Sequence, residues 1–76
     1  MRLEHDPESG AAYIRLRDAR VAETEEIAPG VLMDLADDGR PTGFELLDAA
    51  SLLGGPPHGV EFVLLGEPVG RPGAGR

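Results

Sequence analysis

Residues 1–53 alternate short apolar runs with three turn signals: Asp6-Pro7-Glu8-Ser9-Gly10, Pro29-Gly30 and Asp37-Asp38-Gly39-Arg40. Proline presets φ, glycine accepts positive φ, and an Asp side chain bonds its own backbone two residues on. Each cluster therefore marks a reversal of the chain. The runs between them are too short for stable helices, and their period is two rather than 3.6. A chain punctuated this way has few folds open to it beyond a small antiparallel sheet.

The pattern predicts strands over residues 2–6, 11–17, 21–28, 31–36 and 42–47, joined in sequence order as a β-meander. Asp37-Asp38-Gly39-Arg40 is the strongest hairpin signal, since Asp-Gly suits the positive φ of a type I′ turn. Pro41 lacks an N–H and belongs at a strand entrance or an edge. Asp48 is a helix cap for Ala49-Ala50-Ser51-Leu52-Leu53, and Gly54-Gly55-Pro56-Pro57 stops that helix. The expected fold class is mainly β with one short helix. Residues 1–53 form the module and 54–59 a Gly/Pro linker. Residues 60–66, centred on Val-Glu-Phe-Val-Leu-Leu, are a candidate sixth strand. The Gly- and Pro-rich residues 67–76 read as a disordered tail.

Strand parity sorts the side chains. Leu3, Ile14, Leu16, Met33, Leu35, Phe44 and Leu46 fall on one face, the expected core. Arg15, Arg17, Asp34 and Glu45 fall on the other, with Tyr13, Leu32 and Leu47. A sheet with one apolar face needs a cover, and this chain offers only a short helix and residues 60–65. At 76 residues it forms a single domain with a marginal core. A homodimer or higher assembly across a sheet face or edge is therefore expected.

Cysteine is absent, which excludes disulfides, thiolate metal sites and a cysteine nucleophile. No stretch approaches the length of a membrane span, and the charged start does not resemble a signal segment. The expectation is a cytoplasmic protein with no membrane association. Seven Arg and no Lys, with abundant Ala, Gly and Pro, fit a GC-rich bacterial genome. The net charge of −7 sits in residues 1–53, which hold five Arg against twelve Asp and Glu. That field repels a phosphate backbone, so nucleic acid is not an expected partner. It suits a basic protein, with Glu23, Glu25, Glu26, Asp34 and Asp37 as the candidate contact residues. The plainer reading is that the charge keeps a small protein soluble.

Other candidate chemistry is thin. Asp34, Ala36, Asp38, Gly39 and Glu45 mimic the spacing of a calcium loop, but Ala36 offers no ligand and the flanks are strands, so a hairpin is the better reading. His5 and Asp6 are a candidate half of an acid–base or metal site. Glu23 and Glu25 share a strand face and are a candidate carboxylate pair. The plainer reading of those two is a solvated strand facing Arg15 and Arg17, with charges that guard an edge. His58 lies in the linker. Ser9 and Ser51 have no base near them in the pattern. Nothing in the sequence implies a cofactor.

Several elements together resemble a known family, the one called domain of unknown function 2283. They are Asp6-Pro7-Glu8, Tyr13-Ile14-Arg15-Leu16, Gly30-Val31, Asp34, Asp38-Gly39 and Gly43-Phe44-Glu45-Leu46-Leu47-Asp48-Ala49. The chain departs from the family pattern at Gly10, Ala12 and Ala36, and the pattern stops near Leu53. The resemblance implies a compact β-meander module and brings no catalytic residues. The function expected is a non-enzymatic interaction or assembly module with an acidic surface. The alternatives are a small carboxylate- or metal-dependent enzyme built on His5, Asp6, Glu23 and Glu25, and a purely structural homodimer.

Overall fold

The structure is a computed structural model that describes residues 1–57 and 59–66. His58 and the expected tail, 67–76, lie outside the described residues. Five strands form one antiparallel sheet: β1 (Arg2–His5), β2 (Ala12–Arg15), β3 (Glu23–Ala28), β4 (Val31–Leu35) and β5 (Pro41–Leu46). A short helix, α1 (Ala49–Leu53), follows. The mainly β class with one short helix is as the sequence predicts.

The strand order is β1-β2-β5-β4-β3, which corrects the expected meander. Hairpins join β1 to β2, β3 to β4 and β4 to β5, but β2 and β3 are not neighbours. The last of the described strands in sequence, β5, lies at the centre of the sheet. Residues 16–22 must therefore carry the chain past β5 and β4, a span of about 14 Å at ordinary strand spacing. This is why β2 ends at Arg15 and β3 starts at Glu23, giving a longer connection than Asp18-Ala19-Arg20 alone. The crossover is tied down along its length. Leu16 N–H donates to the Thr42 carbonyl (2.8 Å), and Ala22 N–H to that of Leu35 (2.7 Å). The Arg17 guanidinium donates to Asp38 Oδ1 (3.1 Å) and to the Pro41 carbonyl (3.3 Å).

The β4–β5 hairpin closes differently from the type I′ expectation. Ala36 accepts from Gly39 N–H (2.9 Å) and donates to the Arg40 carbonyl (3.0 Å). Only Gly39 has positive φ, at 79°. This is a type I turn followed by a left-handed glycine, the common three-residue hairpin loop. Asp38 accepts from Arg40 N–H (3.0 Å). That bond, then Arg17, holds its carboxyl below the usual range. Helix α1 is capped as expected, with Asp48 accepting from Ser51 N–H and Gly54 in the left-handed region. Residues 60–65 join no strand pair, so the candidate sixth strand is not part of the sheet.

The register fixes the faces. Leu3, Ile14, Phe44 and Met33 stand opposite one another across four strands, as expected of a shared core face. Glu25 ends the same row beside Met33, and Glu23 pairs with Leu35. Of the expected core only Leu35 is buried, at 8% exposure, together with Ala49 from α1. Ile14, Met33, Phe44 and Leu46 are half-buried, while Leu3 and Leu16 are exposed. The described residues of a single copy therefore leave its apolar face incompletely covered.

Candidate functional site

Three features stand out: a polar cross-brace on one face, an under-covered apolar face on the other, and an acidic edge. The cross-brace is built on the row Arg15–Gly43–Asp34–Thr24. Tyr13 on β2 reaches across β5, and its hydroxyl donates to Asp34 Oδ2 on β4 (2.6 Å). Thr24 on β3 donates its hydroxyl to Asp34 Oδ1 (2.6 Å). The carboxylate thus joins β2, β4 and β3 across a strand that contributes no side chain at that point. Gly43 makes this possible, because a Cβ there would lie 2.5 Å from the Tyr13 hydroxyl. The Arg15 guanidinium lies 5.4 Å from the centre of the Tyr13 ring, a cation–π distance. Tyr13 is therefore a bracing residue rather than a free surface aromatic.

Desolvation, then the bond to Asp34 and its charge, raise the Tyr13 phenol above its ordinary value near 10. The raised group favours its neutral form when folded. Its contribution to stability is present below pH about 10 and is lost as pH rises through the folded value. Tyr13 is the only tyrosine, so ultraviolet titration of the phenol reports it alone. The midpoint is expected above that of a model tyrosine. It should fall part of the way back in Asp34→Asn, since desolvation remains. A wild-type midpoint at or below the model value would refute the brace.

On the apolar face a groove of about 260 Å³ is lined by Leu3, Ala12, Ile14, Leu46, Leu53 and Val60, among others. The strand side chains come from β1, β2 and β5. Leu53 and Val60 fold back over them from the chain beyond the sheet. A second, shallower recess lies around Glu4, His5, Asp6, Ser9 and Glu45. There Asp6 accepts from Glu8 N–H (3.0 Å), which holds its carboxyl below the usual range.

The acidic candidates separate on the structure. All six residues of β3 are exposed, and it is an edge strand, so Glu23, Glu25 and Glu26 lie along the outside of the sheet. Glu26 accepts from Gly30 N–H (3.2 Å). Among the described residues Glu23 and Glu25 have no ion-pair partner. They share the face of Met33 and Leu35, while Arg15 stands in the row of the opposite face. The expected facing of these carboxylates to Arg15 and Arg17 is therefore corrected: β3 and β2 are separated by two strands, and Arg17 turns to Asp38. Asp37 is exposed in the hairpin loop, whereas Asp34 is half-buried and committed to Tyr13 and Thr24.

The structure does not bring the enzyme constellation together. His5 ends β1 and Asp6 follows it, while Glu23 and Glu25 lie on β3. These are the two opposite edges of the sheet, about 19 Å apart by strand spacing. The calcium-loop mimic is a hairpin, with Asp34 in the brace and Asp38 held by Arg17 and Arg40. Among the described residues no group of three or more His, Asp or Glu side chains is placed to hold a metal ion. No described helix is long and apolar enough to cross a membrane.

The sequence profile of a family described as proteins of unknown function, DUF2283, matches residues 2–49. The chain belongs to the DUF2283 family. The match takes in all five strands and stops at the first residue of α1, so the sheet and its brace are the family's part of this protein. No curated protein and no solved structure matches the chain. The end of α1 and residues 54–76 lie beyond the DUF2283 match.

Proposed function

We propose that this DUF2283 protein is a non-enzymatic assembly module that associates with itself through the apolar face of its sheet. The observation that supports the reading is the state of that face. Of its large apolar side chains only Leu35 is buried, and Ile14, Met33, Phe44 and Leu46 remain half-covered around an exposed Leu3 and Leu16. Apolar area left in water is stabilisation not realised, about 25 cal/mol for each Å². A chain this short has little other core to draw on. A second copy offers an apolar face of the same kind, and a two-fold axis makes one patch serve both partners.

The exposed carboxylates of Glu23, Glu25, Glu26 and Asp37 favour a second reading, in which the partner is a basic protein met along the β3 edge. Salt separates the two. Charge-led association fades within a screening length of about 10 Å at 0.1 M salt, whereas apolar burial does not. Sedimentation equilibrium at micromolar concentration is expected to give twice the chain mass or more, undiminished at high salt. Leu16→Glu should return the protein to a monomer. A heat-stable monomer at every concentration would overturn the assembly reading.

A further inference from the structure

Beyond the sheet the chain carries an apolar segment with no place to go. Residues 60–65 read Val-Glu-Phe-Val-Leu-Leu and make no strand. Within it Phe62 is 80% exposed and Leu65 94%. Several large apolar side chains standing together in water mark an interaction surface. Phe62 is also the one aromatic side chain without a place in the sheet, since Phe44 lies in β5 and Tyr13 in the brace.

The same molecule carries an apolar groove, and Val60 forms part of its wall. Yet the chain leaves its own groove at Val60, and Phe62 stands beyond the rim. This groove and this unplaced aromatic satisfy each other when two copies meet, because a two-fold contact is reciprocal. We propose that Phe62 of each copy inserts into the groove of a second copy, between Leu3, Ile14 and Leu46 below and Leu53 above. The inference rests on the self-assembly reading and names the segment that carries it, a segment outside the family match.

The chain has no tryptophan, so Phe62→Trp places a single fluorophore at an exposed site where it does not disturb the fold. Its emission is expected to shift to the blue as concentration rises through the monomer–dimer transition seen by sedimentation. Ala12→Leu, which narrows the groove, should abolish the shift while circular dichroism stays unchanged. Phe62→Ala should weaken self-association about tenfold or more, as loss of a buried aromatic anchor does. A blue emission independent of concentration would place the ring in its own groove and overturn the proposal. Water-exposed emission in a dimer that persists would overturn it too, and leave the assembly reading standing. A monomer throughout would remove both.

Discussion

Replacing Gly43 with alanine is expected to destabilise the protein by about 3 kcal/mol or more, the upper range for an overpacked site. The added Cβ would sit 2.5 Å from the Tyr13 hydroxyl, 2.8 Å from Tyr13 Cζ and 2.7 Å from the Ile14 carbonyl oxygen. The tyrosine can move only by abandoning Asp34. The carbonyl belongs to the β2–β5 ladder and cannot move without opening it. For a domain of this size such a loss lowers the melting temperature by roughly 15 °C, readable by circular dichroism. The double variant Gly43→Ala/Tyr13→Ala should recover only part of the loss, because the Ile14 carbonyl still meets the new methyl. A cost near zero for the single variant would mean that Tyr13 does not cross β5 at this point.

The second large effect is expected at Phe44. It lies at mid-strand on the central strand, paired to Ile14 on one side and Met33 on the other. Phe44→Ala should cost about 3 kcal/mol in the single chain, the low end for a phenylalanine because the ring is half-buried. If assembly covers the face, the measured cost should climb towards about 5 kcal/mol as concentration rises. Chemical denaturation at two protein concentrations reads both values. A loss within about 0.5 kcal/mol, the range of an ordinary surface position, would show that this face is not the core.

Strands, turns and the capped helix were legible because each is written locally. Pro7 and Gly10, Pro29 and Gly30, and Asp38 and Gly39 punctuate the chain, and Asp48 with Gly54 brackets α1. The core face was legible too, since parity within a strand does not depend on which strand lies beside it. Strand order was not. The expected meander assumes that consecutive strands are neighbours, and nothing in residues 16–22 announces a crossover. The strand order also decides where the acidic residues lie: Glu23 and Glu25 do not face Arg15 and Arg17, because β5 and β4 lie between them. The expected meander also hid the brace, because Tyr13 can reach over Gly43 to Asp34 only when β5 separates β2 from β4. With the order known, a glycine inside a central strand, flanked by a tyrosine and an aspartate of matching parity, is a readable signal. The extent of burial was not legible either, since it depends on covering elements that the described residues of one copy do not supply in full.

The position of β5 also dictates how the molecule can be made. It follows the other four described strands in sequence and is the one that joins the β1–β2 hairpin to the β3–β4 hairpin. Without it the sheet would be two separate two-stranded ribbons, a kind of hairpin that is marginal by itself in water. Neither ribbon could shelter its apolar side chains against the other, because their shared neighbour would be missing. The five-stranded sheet is therefore complete only when β5 pairs on both of its edges. Contacts such as Ile14 with Phe44 close loops of many residues, the topology that folds slowly.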